Sequence, residues 1–322
     1  MGSRKLQSSP VSLSNRDGMV AILLAAFNGA RFLDAQLASI AAQDWPNISI
    51  WASDDASDDA TRTILEHWGT VWSKGTFSIV VGPCRGFAEN FRSLLTNPNI
   101  VADYYAFADQ DDVWDPDKLS RAIRAVKEIT ATTAALYCSR TRLVDESGRS
   151  IGFSPLFTRR PSFRNALVQS IAGGNTMVMN HAAFSILAQS ARRTSFVSHD
   201  WWSYLMVSGS GGSVYYDSEP HIGYRQHAYN LVGDNAGLRA RVDRIGRILA
   251  GQLVEWNSAN LDGLERCADL LSKPNRAIAA QFRSARAAGL PTRLYRIARL
   301  RVYRQTRLQS LTLWLAAAVG RI

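Results

Sequence analysis

The ten residues from Met19 to Asn28, MVAILLAAFN, form an apolar run without a single charge. Apolar side chains at consecutive positions suit a parallel strand buried on both faces, and such a strand requires helices above and below its sheet. The residues that follow supply them. Asn28-Gly29 makes a turn, and Phe32, Leu33, Leu37 and Ile40 then recur at helical spacing through Gln43. Trp45-Pro46-Asn47 ends that helix, Ile48 to Ala52 is a second strand, and Thr61 to Trp68 a second helix with Ile64, Leu65 and Trp68 inward. A third strand, Phe77 to Val81, leads through Gly82-Pro83-Cys84-Arg85-Gly86 into a helix over Phe87–Leu95, and Tyr104 to Ala108 is a fourth strand. This alternation predicts an α/β chain with a mainly parallel central sheet, whose ligands bind beyond the carboxyl ends of the strands.

Acids collect at those ends. The second strand runs into Ser53-Asp54-Asp55-Ala56-Ser57-Asp58-Asp59, and the fourth into Asp109, Asp111 and Asp112 with only Gln110 between them. Three carboxylates within four residues repel one another, so a cation is expected there, and oxygen ligands favour a hard divalent ion such as Mg²⁺ or Mn²⁺. The alternative is an acidic helix start, with Asp115 as N-cap, Pro116 first in the helix and Asp117 in its first turn. It leaves the upstream acids without a purpose. Asp54 and Asp55 could accept hydrogen bonds from a nucleobase or ribose, or could form an Asx turn before the next helix, with Asp58 or Asp59 as its cap. No GxGxxG follows the first strand and no P-loop occurs, which excludes the ordinary dinucleotide and ATP-phosphate cradles.

Further along, Ala134 to Arg140 reads as a strand, Asp145 to Gly148 as a turn and Phe153 to Phe163 as a loop. Gly173-Gly174-Asn175 precedes the apolar run Thr176 to Met179; it could admit a close backbone approach to a sugar or phosphate, or be a turn. His199-Asp200-Trp201-Trp202 offers a carboxylate beside large aromatic faces, which suits a general base in a sugar site; the alternative is a helix start with core tryptophans. Arg225 and His227 alternate along an extended segment and share a face, where arginine fits a diphosphate and neutral histidine a metal, unless both are structural.

Taken together and in this order, VAILLAAFNG, ASDDASDD, FADQDDVW, GGN, HDWW and YRQHAYNLVG resemble the family 2 glycosyltransferases of GT-A fold, in particular the rhamnosyltransferase-like branch that builds bacterial cell-surface polysaccharide. The resemblance spans about Met19 to Asn235. It implies a Rossmann-like nucleotide-diphospho-sugar transferase fold and an inverting transfer from a nucleotide-sugar donor. Rhamnose from dTDP-rhamnose is the first choice of donor, with UDP-glucose, UDP-galactose or UDP-galactofuranose as alternatives. By the same resemblance Asp55 holds the nucleoside base and Asp109 contacts the ribose. Asn28, Asp54, Arg85, Gly174 and Arg225 complete the donor side. Asp111 ligates a divalent cation (Mg²⁺ or Mn²⁺) on the diphosphate with His227 beside it, Asp200 is the base, and Trp201 and Trp202 face the acceptor. Three departures stand out. His199-Asp200 replaces a common Glu-Asp pair, and YRQH replaces the Gln-x-x-Arg-Trp motif of processive synthases, which favours single transfers. Ala228-Tyr229 stands where the branch often has glycines.

Charge separates the C-terminal region from the rest. Residues 236–322 hold fifteen arginines and one lysine against five acids, while the remainder is nearly neutral, with 21 basic and 22 acidic residues. The sequence divides into a polar lead-in at 1–18 that reads as disordered, a catalytic domain at 19–235, and a basic helical region at 236–322. That last region either attaches peripherally to anionic lipid, bringing the enzyme to a saccharide or lipid-linked acceptor, or packs on the catalytic domain or a second subunit. The pI of about 9.8 raises a nucleic-acid-binding protein as a rival, but the acidic strand ends and the absence of a nucleic-acid motif oppose it. A metal-dependent phosphotransfer or hydrolytic enzyme using the same acids is a second rival. Three distant cysteines, no apolar run of membrane-spanning length and no secretory h-region fit a cytoplasmic protein, with the inner membrane face as its possible site of attachment.

Overall fold

The computed structural model describes residues 18–227 and 252–322; the Tyr229–Gly233 block, Ala228 and the expected domain boundary at 235 lie outside them. The opening apolar run is the central strand β1 (Val20–Ala26). It pairs in parallel with β2 (Ile48–Asp54) on one side and β4 (Tyr104–Asp109) on the other, and β3 (Phe77–Val81) extends the sheet beyond β2. Helices α1 (Leu33–Ala41), α2 (Thr61–Val71) and α3 (Phe87–Thr96) connect these strands, so every side chain of β1 is covered except the partly exposed Ala25.

Beyond β4 the sheet is mixed. Strand β9 (Val178–Asn180) runs antiparallel between β4 and β6 (Ala135–Ser139), and β10 (Ser213–Asp217) closes the edge parallel to β6, giving the order β10-β6-β9-β4-β1-β2-β3. A second, four-stranded sheet was not apparent from sequence. It orders β5 (Val113–Trp114), β11 (Ile222–Arg225), β7 (Arg142–Val144) and β8 (Ser150–Phe153) around the acidic segment. The turn at Asp145–Gly148 thus joins a hairpin, and the expected loop begins only after Phe153. Helix α4 (Lys118–Lys127) is entered through Asp117, not Asp115, and without a side-chain capping bond; the Asp115 carboxylate instead takes two bonds from the Arg142 guanidinium, at 2.6 and 3.0 Å.

The short α5 (Phe163–Ala166), α6 (His181–Arg193) and α7 (His199–Gly209) complete the elements before residue 228. Among the described residues four further α-helices follow, α8 (Gln252–Arg266), α9 (Lys273–Ala287), α10 (Leu290–Leu300) and α11 (Arg307–Ala318). They share one apolar core with the preceding elements, in which Leu261, Leu264, Phe282, Ile297 and Leu313 join Phe163, Trp202 and Leu205. Polar contacts fix the docking. Asn275 Nδ2 donates to the carbonyls of Ser208 and Gly209 at 3.0 and 3.1 Å, and the Gln305 side chain donates to Asn165 Oδ1 at 3.1 Å. No helix among the described residues is long and apolar enough to cross a membrane.

Candidate active site

Three loops at the carboxyl ends of β1, β2 and β4 are stitched together by side chains from their own acidic and amide-rich sequences. Gln110, the residue between the acids, accepts from the Phe27 N–H at 2.7 Å and donates back to the Phe27 carbonyl at 2.9 Å. A Cβ at Gly29 would lie 2.2 Å from Gln110 Oε1, so any larger residue there would push the Gln110 side chain off Phe27. Asn28, at φ 49°, accepts from the Asp58 N–H at 3.0 Å while its own N–H donates to Ser57 Oγ. Asp54 accepts from the Ser57 N–H three residues on, and the Asx turn before α2 is made by Asp59, which accepts from the Thr61 N–H, while the helix itself is entered through Ala60. Asp55 is buried, and its two carboxylate oxygens accept from the Cys84 and Gly86 N–H groups at 2.6 and 3.2 Å. It therefore holds the Gly82–Gly86 loop in place, with Arg85 exposed on that loop. Any contact of Asp55 with a nucleobase would have to use lone pairs left over from this task.

The aspartates after β4 diverge. Asp112 points inward and is fully buried; it accepts from Asn175 Nδ2 at 2.6 Å and from the Arg225 N–H at 3.3 Å. Asp111 Oδ2 lies 2.8 Å from His227 Nε2, whose ring stacks on Phe32 at 5.0 Å. Asp109, partly buried at the strand end, feels burial first and then the charges of Asp111 and Asp200, which together push its carboxyl up to about 7. Asp109 is thus the member of the cluster that senses both sides of the site.

The cation expected from sequence has an internal counterpart. Lys118, at the start of α4, is 1% exposed; its Nζ sits 3.2 Å above the Trp114 ring and has no hydrogen-bond partner. Burial pulls its pKa well down, and the charges of Asp112 and Asp109 oppose that pull. Burial likewise drives Asp112 well up, helped by Asp111 and Asp109. Lys118 was missed because a lone lysine after Asp-Pro-Asp reads as a solvated helix residue.

Among the described residues no group of three or more His, Cys, Asp or Glu side chains is arranged to hold a metal. The pair Asp111 and His227 still fits a divalent ion on a diphosphate, because Mg²⁺ in nucleotide sites is commonly held by one or two protein ligands, with phosphate and water oxygens completing the shell.

Asp200 occupies the first turn of α7. It accepts from the Trp201 N–H at 2.7 Å and from Ser170 Oγ at 3.4 Å, and one side remains partly exposed. Its neighbour His199 is buried, stacked on Phe91 at 3.7 Å and set edge-on to Phe107, with both ring nitrogens unpaired. Burial lowers its pKa from 6.5 to about 4, with Asp200 acting the other way. Between those values the unfolded chain holds a proton that the native imidazole refuses. Stability is therefore retained above pH 6.5 and falls as the pH drops toward 4, by on the order of 3 kcal/mol. Urea unfolding of wild type and His199→Leu across this range checks it. The acid-side slope should shrink in the variant, and an unchanged slope would show that His199 is not its source.

Several sequence expectations are corrected. Gly174 does approach something closely, but it is the His199 ring: an added Cβ would lie 1.9 Å from Nε2. The neighbouring Asn175 reaches Asp112, so the Gly-Gly-Asn segment is built for internal packing. Arg225 spends its guanidinium on backbone carbonyls, with Nε on Asp111 at 2.9 Å and Nη1 on Glu146 at 2.6 Å, above the Phe32 ring at 4.7 Å; it braces the loop instead of facing a diphosphate. Trp201 and Trp202 are core residues and not acceptor platforms. Trp201 donates to the Ala166 carbonyl at 2.7 Å, and Trp202 donates to Ser190 Oγ at 2.9 Å beneath Gly263 of α8. A helix that opens a domain core turns its largest apolar faces inward, which the local string HDWW does not reveal. Phe32, the platform under Arg225 and His227, was read only as part of a helical stripe.

Comparison with known proteins accords with this geometry. The family model described as glycosyl transferase family 2 matches residues 21–190. The chain is 29% identical over 234 residues to dTDP-rhamnosyl transferase RfbG of Shigella flexneri, covering 70% of this chain and 78% of that protein. It is 26% identical over 222 residues to an uncharacterized glycosyltransferase of Rickettsia typhi, covering 65% and 64%. Among solved structures, S. aureus TarS 1-349 in complex with UDP-GlcNAc superimposes with a TM-score of 0.53 at 14% identity, over 94% of this chain and 89% of that one, a likeness of GT-A fold.

Proposed function

Because the chain belongs to glycosyl transferase family 2, we propose that it is an inverting transferase that moves rhamnose from dTDP-rhamnose to a hydroxyl of a cell-surface polysaccharide or lipid-linked acceptor. The observation that carries the site reading is that Asp109 and Asp111, at and just beyond the carboxyl end of the parallel strand β4, lie close enough to Asp200 in the first turn of α7 for the charges of Asp111 and Asp200 both to act on Asp109. The likeness to a dTDP-rhamnosyl transferase supports the choice of sugar.

In this reading the nucleotide lies along the loops after β1, β2 and β3, and its ribose and diphosphate approach Asp109 and Asp111. A divalent cation held by Asp111 and His227 would neutralise charge on the departing nucleoside diphosphate. Asp200 takes the acceptor hydroxyl proton as that oxygen bonds to the anomeric carbon. The bond from this carbon to the diphosphate breaks, the nucleoside diphosphate leaves, and the configuration inverts because attack and departure occupy opposite faces. The bracing of Asp200 by Ser170 and the helix backbone fixes the carboxylate before substrate arrives.

A thermal-shift panel of dTDP-, UDP- and GDP-sugars, each with and without Mn²⁺, tests the proposal. A ligand at a hundred times its Kd stabilises the native state by about 2.7 kcal/mol. The largest shift is expected from dTDP-rhamnose with Mn²⁺. A larger shift from a UDP-hexose would displace rhamnose as the donor, and no shift from any nucleotide sugar would overturn the donor site itself.

A further inference from the structure

The last helix of the chain is apolar on both sides. Thr306 and Gln309 start α11 with a reciprocal capping box, and Leu313, Ala316 and Ala317 pack into the common core. On the opposite side Leu308, Leu311, Leu315 and Val319 are 62%, 55%, 58% and 61% exposed, with Trp314 beside them at 37%. Their spacing of three and four residues aligns them on one face. A solvent-facing helix side ordinarily carries charge, so a row of leucines there marks a surface that is covered in use.

The charge of the same segment identifies the cover. From 290 to 322 the chain has seven arginines and no acidic residue. Arg296, Arg299, Arg301 and Arg307 are exposed, and Arg164, Arg299 and Arg301 line a shallow groove of about 590 Å³ with Tyr295. A second copy of the chain is a poor occupant. A two-fold interface through this face would bring the arginines of both copies together with no acid from this segment to pair them. An anionic lipid surface satisfies both features, because its acyl boundary takes the leucines and its phosphates the guanidinium groups.

We propose that α10 and α11 form a peripheral docking surface for anionic membranes, with Leu308, Leu311, Trp314, Leu315 and Val319 entering the interface and the exposed arginines of the same segment engaging lipid phosphates. The surface belongs to the helices beyond the matched family segment and is independent of which sugar the site transfers.

Cosedimentation of the full chain with vesicles of 7:3 phosphatidylcholine:phosphatidylglycerol tests it without any transferase readout. Wild type should bind these vesicles, bind phosphatidylcholine alone at least about tenfold more weakly, and lose affinity as salt rises. Leu311→Glu/Leu315→Glu should lower binding by more than about tenfold while keeping the wild-type Tm, since both side chains already face water. Arg299→Glu/Arg301→Glu should lower it as well. Absence of wild-type binding, or unchanged binding by Leu311→Glu/Leu315→Glu, would overturn the proposal. So would light scattering that shows a dimer dissociated by that variant together with no vesicle binding. Failure here leaves the donor panel untouched, and failure of the panel leaves this surface untouched.

Discussion

Asp200→Asn is expected to lower kcat by about 10²–10⁴-fold, the contribution of a positioned general base. The side chain keeps its size, and one amide oxygen can still accept from the Trp201 N–H, so the helix start should survive. Donor affinity should change little, because the side chains assigned to the nucleotide and diphosphate lie on the loops after β1 to β4 and, for His227, just beyond β11. The check is a pair of measurements on one preparation: turnover with acceptor present, and donor binding by calorimetry without it. Near-wild-type turnover would remove Asp200 as the base. A matching loss of donor affinity would make it a donor ligand instead.

Lys118→Met is expected to lower stability. The substitution preserves most of the side-chain volume above Trp114 but removes the amine over its ring, whose charge acts on Asp112 and Asp109 without a hydrogen bond to either. Losing a desolvated cation–π contact costs about 2 kcal/mol. Urea unfolding should therefore show a lower midpoint at unchanged slope. Lys118→Met/Asp112→Asn should recover part of the loss, since the amide carries no charge to compensate. A loss below about 1 kcal/mol in the single variant, with no recovery in the double, would show that Asp112 is held neutral and that Lys118 is only a filler of space.

These two residues illustrate what the sequence could and could not disclose. Consecutive apolar positions in β1 and acids at the ends of β2 and β4 announced a parallel sheet with a polar rim, because burial on both faces and helix spacing leave a local trace. The insertion of β9 antiparallel to β4 left none. Its strand is three residues long, and its partners lie some forty to seventy positions away in the chain. The division of labour among Asp109, Asp111 and Asp112 was hidden for the same reason: their partners are Asp200, His227 and Asn175, each supplied by a distant segment. Trp201 and Trp202 were assigned from composition next to a carboxylate, whereas helix α7 turns both into the core through bonds to Ala166 and Ser190. Arg225 looked like a phosphate ligand because arginine suits one, yet carbonyls from two loops claim it first.

Helix α7 has a mechanical consequence. It is an eleven-residue rod, about 16 Å long, with Asp200 in its first turn. Its far end, Ser208 and Gly209, is gripped by Asn275 of α9, and Gly263 of α8 presses on Trp202 midway. The basic helices are therefore the foundation on which the proposed base stands, as well as a surface of their own. Shortening the chain from its C-terminus would loosen that foundation and blunt catalysis even on an acceptor free in solution. Conversely, a load applied where the outer helices meet another body has a rigid route to the carboxylate.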